Sequence, residues 1–495
     1  MQRSENLARL QEPLDVLVIG GGVAGLGAAL DAASRGYRTA LVDAGDFGGG
    51  ASGATSKLLS GGDWLAPDGL PPAAWEERER LARNAPHLLR TTDLIAPGFG
   101  WPLLRGLGLR LQDLLASRPR AARARPVGPA ELAARAGTLK PDARHGGAVR
   151  ADAVVHDTRL AVTLARTADA HGAAVVNHAA VTRLLSRGGR LAGAVIEDRI
   201  GGREIEVSAH AVINSAGAAV DATRRLDDPA VVPSVTSVEL TVLVLPRDFL
   251  PGDAALAIPG PTGRVLLVPW MDRVVLSSAS GAPPAEGRRS EQATDLLEAA
   301  ARALSIEPRP ADVISASTAR FARAPGGRSL SVSRSGLVTV VGGRWRNYRV
   351  IAEQAVDRAA LAGSLPTSNS RTAELRLHGS PANPDEQDPT LWPYGSDARH
   401  VRALTESDPA LAATIHASLP VTAAEVLWAV RQEMALTVED VLARRTAALA
   451  LDEPAALAAA PGVARLMAAE FERGAHWEEQ QVEALRDKVA AGRPL

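Results

Sequence analysis

Asp15-Val-Leu-Val-Ile-Gly20-Gly-Gly22-Val-Ala-Gly25-Leu-Gly-Ala-Ala29, continued by Tyr37-Arg-Thr-Ala-Leu-Val-Asp43, is the stretch on which the fold depends. An apolar run of strand length enters a glycine-rich turn, a helix of small residues follows, and a second short strand ends in an acid about twenty residues on. This is the pattern of a dinucleotide-binding βαβ unit. Gly20 permits the tight turn, Gly22 lets the backbone approach a pyrophosphate, and Gly25 lets helix and strand pack closely. The unpaired N–H groups at the helix start face the phosphates. Asp43 is placed to accept hydrogen bonds from the adenosine ribose, so the expected cofactor is an adenine dinucleotide.

Beyond the second strand, Asp46-Phe-Gly-Gly-Gly-Ala-Ser52-Gly-Ala-Thr-Ser56-Lys57 is a hydroxyl-rich loop, and Leu58-Leu-Ser60-Gly61-Gly62-Asp63-Trp64 carries a second glycine pair. Small residues there let backbone and hydroxyls approach a bulky ring system, which favours FAD over NAD, while a plain solvent loop stays open. Asp157 to His171 reads as a helix stopped by Gly172, followed by strands at Ala173 and around Val181. Ala211-Val-Ile-Asn214-Ser-Ala-Gly217 and Gly336-Leu-Val-Thr-Val-Val-Gly342-Gly343 are further strands ending in small residues, and the helix from Tyr348 has an N-terminus that could face a flavin. Ser234 to Leu245, Gly263 to Trp270 and Arg273 to Ser278 look antiparallel. The expected architecture is therefore α/β. A discontinuous FAD-binding Rossmann-like domain (13–230 and 331–365) carries an antiparallel substrate domain (231–330), and an Ala- and Leu-rich helical domain (385–495) follows a linker near Ser380 to Pro393.

Bulk properties narrow the function. A chain of 495 residues suggests about three domains. A net charge of −1 argues against nucleic acid as the main partner, and the absence of cysteine excludes disulfides and thiolate chemistry. No signal-peptide core and no run of about eighteen apolar residues is found, so the expected location is the cytoplasm.

The order of these pieces resembles the FAD-dependent glycerol-3-phosphate dehydrogenase and glycerophosphate oxidase family. The resemblance runs from about Asp15 to about Leu485 through Asp157-Thr-Arg159-Leu, Val268-Pro-Trp270, Gly342-Gly343-Arg344-Trp345 and the text from Glu425 to Arg445. It implies noncovalent FAD, hydride removal from a small phosphorylated alcohol, glycerol 3-phosphate, and quinone or oxygen as acceptor. It also implies cofactor contacts at Gly20, Gly22, Gly25, Asp43, Ser52, Ser56, Lys57, Val181, Gly217, Gly342 and Gly343. Arg323, Arg334 and Arg344 are the cations expected to hold the phosphate, Arg344 standing where the family has lysine; surface arginines remain the plain alternative.

The departures fall on the substrate side. Ala54 replaces a family arginine, and Ser60-Gly61-Gly62-Asp63-Trp64-Leu65 replaces His-Gly-Gly-Leu-Arg-Tyr. Ser277-Ser278-Ala279-Ser280 replaces Gly-Thr-Thr-Asp. His156 is the nearest remaining candidate base, although a histidine at a helix start is more often structural, and the sequence identifies no base. Two alternatives therefore stay open: a flavoenzyme for another hydroxy or amino substrate, and a flavin-binding protein without turnover. Leu103 to Arg125 sets leucines at helical spacing beside a basic cluster, the pattern of a helix on an anionic membrane surface, against which Gly106, Gly108 and Pro119 count. Peripheral membrane contact and a homodimer are left open.

Overall fold

The apolar run before Gly20 is the buried strand Leu14–Ile19, and the small residues after Gly22 form the helix Val23–Ser34. Both come from a computed structural model that describes residues 1–60, 72–98, 124–261, 263–279, 289–324, 330–383 and 388–492. Every residue of that helix is buried, because its alanines and glycines let neighbours approach from all sides. A Cβ at Gly27 would lie 2.7 Å from the Tyr348 ring, on the helix Tyr348–Ala362 packed alongside.

The first sheet runs Leu330–Val332, Val338–Val340, Arg203–Asn214, Leu14–Ile19, Thr39–Val42, Ala174–Val176, with Ala179–Arg187 and Arg190–Asp198 continuing from the Arg203–Asn214 strand. Its central pairings are parallel, and their near-continuous Val, Ile, Leu and Ala sequences suit strands covered on both faces. The carboxyl ends of four of these strands lead to Gly20, Asp43, Ser215 and Gly342. In an open α/β sheet that edge is where ligands bind.

The second sheet runs Ser315–Arg323, Thr236–Pro246, Arg273–Ser278, Gly263–Trp270, Ala255–Gly260, Leu89–Pro97, Gly147–Val155, Arg125–Val127. The expectation that this sheet belongs to 231–330 alone needs correction. Three of its strands come from 89–155, joined through the parallel pairing of Ala255 with Leu94 and Leu256 with Ile95. Strand pairing is non-local, and alternation within a segment does not say which distant strand it will meet. The loop from Lys57 to Ser60 also joins this sheet: Val155 N–H donates to Lys57 O at 2.8 Å, Leu59 N–H donates to Ala153 O at 2.8 Å, and Leu58 bridges Val154. The cofactor loop thus leads directly into the substrate-side sheet.

One face of this sheet packs on the helices Pro129–Arg135 and Arg289–Ala303. The other packs on helices of the C-terminal region, including Ala423–Glu433, Glu453–Glu470 and Ala475–Gly492. The first of these starts with a capping box: Thr422 N–H donates to Glu425 Oε2 at 2.8 Å, an arrangement worth about 1 kcal/mol. Among the described residues no helix is long and apolar enough to cross a membrane. Leu103 to Arg123, Gly61 to Leu65 and Ser280, singled out from the sequence, lie outside the described residues.

Candidate cofactor and active site

A cavity of about 600 Å³ opens at the carboxyl ends of the parallel strands. Gly20 turns the chain with φ +108°, and a Cβ there would lie 2.4 Å from Ser215 O. A Cβ at Gly25 would lie 1.9 Å from Gly20 O, so this glycine serves the packing of helix against turn. Gly22 is different: its Cβ would meet only Ser52 Oγ, at 3.3 Å, and its backbone faces the cavity. Ser52 Oγ accepts the Val23 N–H at 2.9 Å, and Trp345 Nε1 donates to Ser52 O at 3.0 Å, tying the hydroxyl loop to the diglycine segment. Asp43 accepts the N–H of Gly21 at 2.5 Å and of Gly45 at 2.7 Å. Burial pushes its carboxyl up, against those two hydrogen bonds.

The cavity is lined by Gly20, Gly22, Asp43, Ser52, Lys57, Gly217, Gly342 and Gly343, together with the edge strand from Ser315 to Ala322. Three expected contacts fall outside the lining, Gly25 for the packing reason just given and two others. Ser56 is buried outside the lining, and Val181 packs its side chain on the Leu17 and Ile19 cluster. Lys57 is held by Asp157, at 2.7 Å from both carboxylate oxygens, and sits 4.9 Å from the Trp270 ring centroid.

The three arginines separate. Ala322 and Gly342 are neighbours across the cavity rim, with an ideal Gly342 Cβ 4.0 Å from Ala322 O; Arg323 and Arg344, which follow the lining residues Ala322 and Gly343, are both exposed and lie outside the lining themselves. Arg334 does not join them. Leu330 pairs with Val340 and Val332 with Val338, so the turn carrying Arg334 lies at the opposite end of the sheet from Gly342. Sequence proximity to the diglycine was misleading because a hairpin reverses direction.

His156 is likewise unsuited to catalysis. It is buried, its ring stands edge-on to Trp270 at 5.6 Å, and it is absent from the cavity lining. Burial, reinforced by the charges of Arg159 and Lys57, drives its pKa well below the usual value, so it stays neutral.

The sequence reading missed the role of the C-terminal region as a cavity wall. Arg444, Glu439 and Lys488 line the cavity, and behind them lies a buried ion-pair cluster. Asp46 accepts from Arg445 Nη1 at 2.6 Å and Nη2 at 2.9 Å and from Arg444, which also donates to Asp440 Oδ1 at 2.5 Å. Asp46, His178 and Asp440 place ligand atoms within 4.8 Å of one another, but two guanidinium groups already supply the positive charge a cation would bring. His178 Nε2 lies 2.9 Å from Asp440 Oδ2. Burial lowers the His178 pKa, yet the hydrogen bond and charge of Asp440, with Asp46, outweigh it and the net direction is up. The stabilisation is therefore complete below the unfolded value of about 6.5 and is lost as pH rises through the higher folded value. Melting temperature should fall across that window in the wild type and fall less in His178→Gln; equal slopes would remove the imidazolium from the account.

Comparison with known proteins agrees with this geometry. The family model described as FAD dependent oxidoreductase matches residues 15–353, and the chain belongs to that family. A second family model, the C-terminal domain of alpha-glycerophosphate oxidase, matches residues 342–482. Among individual relatives, the mitochondrial glycerol-3-phosphate dehydrogenase SDP6 of Arabidopsis thaliana is 31% identical over 97% of this chain and 86% of its own. The human mitochondrial glycerol-3-phosphate dehydrogenase is 29% identical over 98% of this chain and 74% of its own. In fold, the glycerol-3-phosphate dehydrogenase of Bacillus halodurans, solved with FAD, superposes with a TM-score of 0.81 at 23% identity, covering 100% of this chain and 98% of the other.

FAD is accordingly the cofactor, and the residues present fit it. Gly22, Gly217 and Gly342 leave the cavity rim without a side chain, a cradle that larger residues would fill. The helix Val23–Ser34 begins on the cavity lining, so the positive end of its dipole lies beside that cradle.

Proposed function

We propose that the protein oxidises sn-glycerol 3-phosphate to dihydroxyacetone phosphate and passes the electrons to quinone or oxygen. The observation that carries this reading is likeness to glycerol-3-phosphate dehydrogenases over nearly the whole chain, helical C-terminal region included; Arg323 and Arg344, the cations proposed for the phosphate, are exposed and directly follow Ala322 and Gly343 of the cavity lining.

The chemistry FAD supplies when bound is acceptance of a hydride. The chain's own part is to bind and orient. The turn from Gly20 to Val23 brings side-chain-free backbone and the positive end of the following helix to the pyrophosphate, and Asp43, which lines the cavity, accepts from ribose hydroxyls. Val242 and Val244 form an apolar wall that excludes water. Arg323 and Arg344, as planar guanidiniums, grip the phosphate dianion and fix the alcohol carbon relative to the cofactor. A cytoplasmic location, membrane contact through Leu103 to Arg125 and a homodimer belong to the same reading. Vesicle sedimentation and light scattering test the last two.

The deciding experiment is anaerobic absorbance of the FAD-loaded protein on adding glycerol 3-phosphate. Loss of the oxidised flavin band is expected, with Arg323→Ala raising the substrate concentration needed by about 10-fold or more, the loss of one charge-assisted phosphate contact. An unchanged spectrum, with dithionite still reducing the flavin, would rule the substrate out and point to another hydroxy or amino compound.

A further inference from the structure

The cavity lined by the phosphate-turn glycines has a second wall, built by the helical C-terminal region. Arg444, Leu449, Leu485, Lys488 and Val489 line it together with Gly20, Gly22 and the loop from Gly48 to Gly53. All of these C-terminal residues lie beyond the helix Tyr348–Ala362 that completes the nucleotide fold. A pocket of about 600 Å³ buries most of the ligand that fills it, so a dinucleotide filling this one reaches both walls.

The wall is tied to the cofactor loop by charge. Asp440–Arg445 form a widened, π-type turn, with Thr446 N–H donating across five residues to Val441 O at 3.0 Å. Such turns are rare and concentrate at functional sites. This one sends consecutive side chains, Arg444 and Arg445, to the same carboxylate, Asp46. Asp46 opens the cofactor loop: its carbonyl accepts the Gly49 N–H at 2.9 Å, and the Gly48 N–H donates to Gly21 O at 2.9 Å. On the other side, Glu439 accepts from Arg444 at Oε1 and from Lys488 Nζ at Oε2, the latter at 2.6 Å. Gln481 Oε1 accepts the Val438 N–H at 3.2 Å. Lys488 and Gln481 both stand on the helix Ala475–Gly492, so a line of polar contacts runs from that helix to the loop that lines the cavity.

We propose that bound FAD rests on the helix Ala475–Gly492 as well as on the nucleotide fold, and that cofactor binding and docking of this helix strengthen each other through Lys488, Glu439, Arg444 and Asp46. The helix is suited to respond. Of its 18 residues Val482 and Leu485 are the buried ones, the thin burial of elements that open locally before the rest of a fold. FAD seated on the glycines holds the loop from Gly48 to Gly53, which keeps Asp46 where the two arginines meet it. The docked arginines in turn hold the same loop ready for FAD, and linkage makes the two effects equal in factor. FAD serves whichever alcohol is oxidised, so the inference is independent of the substrate.

The test compares FAD-loaded protein with protein dialysed free of FAD, by amide hydrogen exchange and without substrate. Exchange in 475–492 should be about 10-fold slower with FAD, a coupling of ordinary size. The helix Pro129–Arg135, on the opposite face of the second sheet and outside the cavity lining, should change little. Equal slowing of both helices would be global stabilisation and would overturn the coupling. Fluorescence titration of the FAD-free protein gives the affinity. Val489→Trp puts a large ring on the wall, and Lys488→Glu sets like charge against Glu439; each should raise the FAD dissociation constant by about 5-fold or more, while Lys488→Arg binds FAD as the wild type does. Lys488 is 64% exposed, so Lys488→Glu reads the wall even if Val489→Trp misfolds. Wild-type FAD affinity in both Val489→Trp and Lys488→Glu, or equal exchange of 475–492 with and without FAD, overturns the proposal. Glycerol 3-phosphate is absent throughout, so failure of the substrate assignment leaves these results untouched.

Discussion

Glu433→Ala should destabilise the folded protein by about 3–5 kcal/mol, the cost of leaving a buried guanidinium without its counter-charge. Glu433 ends the helix Ala423–Glu433 and is fully buried. Arg159 reaches it from the helix Asp157–Ala170 with Nη1 at 2.6 Å and Nη2 at 2.8 Å, a two-pronged contact between the helical region and the nucleotide fold. Trp428 Nε1 adds a third donor at 3.1 Å. Burial alone would raise the Glu433 pKa; Arg159, then Arg166 and Arg445, hold it down, so the carboxylate is charged at neutral pH. Urea denaturation followed by tryptophan fluorescence should show the midpoint fall sharply for Glu433→Ala and less for Glu433→Gln, which keeps hydrogen-bond acceptance. A change under about 1 kcal/mol would mean that the pair only offsets its own desolvation and that apolar packing alone docks the helical region.

Gly25→Ala should be the most damaging single methyl in the nucleotide fold. Its Cβ would stand 1.9 Å from the carbonyl oxygen of Gly20, and both groups are backbone, so no rotamer relieves the clash. Separating helix from turn should cost about 3 kcal/mol or more and abolish FAD retention. Gly22→Ala is the informative contrast. Its Cβ meets only the Ser52 hydroxyl at 3.3 Å, so melting temperature without cofactor should change little while FAD is lost on dialysis, because Gly22 lines the cavity and a methyl there would hinder close approach of a pyrophosphate to the backbone. The ratio of flavin to protein absorbance, with melting curves of both variants, separates the effects. Two variants alike in stability would show that Gly25 serves the cofactor and not the packing.

Local chemistry explains why some of this was legible from residues alone. Between Asp15 and Asp43 the strand, turn, helix and acid follow one another along the chain, and each glycine's task is set by neighbours within about twenty residues or by the strand beside it. The helix Tyr348–Ala362, the hairpin turn after Trp270 and the helices after 397 were readable for the same reason. Arg334 shows the limit: ten residues from Arg344 in sequence, it is sent to the far end of the sheet by the hairpin of Leu330–Val332 with Val338–Val340. The second sheet shows it again, since the strands at 89–155 read as part of the nucleotide domain until their pairing with Ala255 and Leu256 places them.

The amino-acid sequence by itself determined that this chain builds an FAD-binding nucleotide fold, because turn geometry and helix–strand closeness are properties of contiguous residues. Only the tertiary structure decided what surrounds the cofactor. Ser60 and Asp152 are 92 residues apart and meet because the loop from Lys57 pairs along the Gly147–Val155 strand. Arg445 and Asp46 are 399 apart and meet because the helical region docks on the nucleotide fold. Such pairs depend on register and docking between distant segments, where burial makes each charge or hydroxyl costly unless its one partner arrives, and no local pattern records which partner that will be.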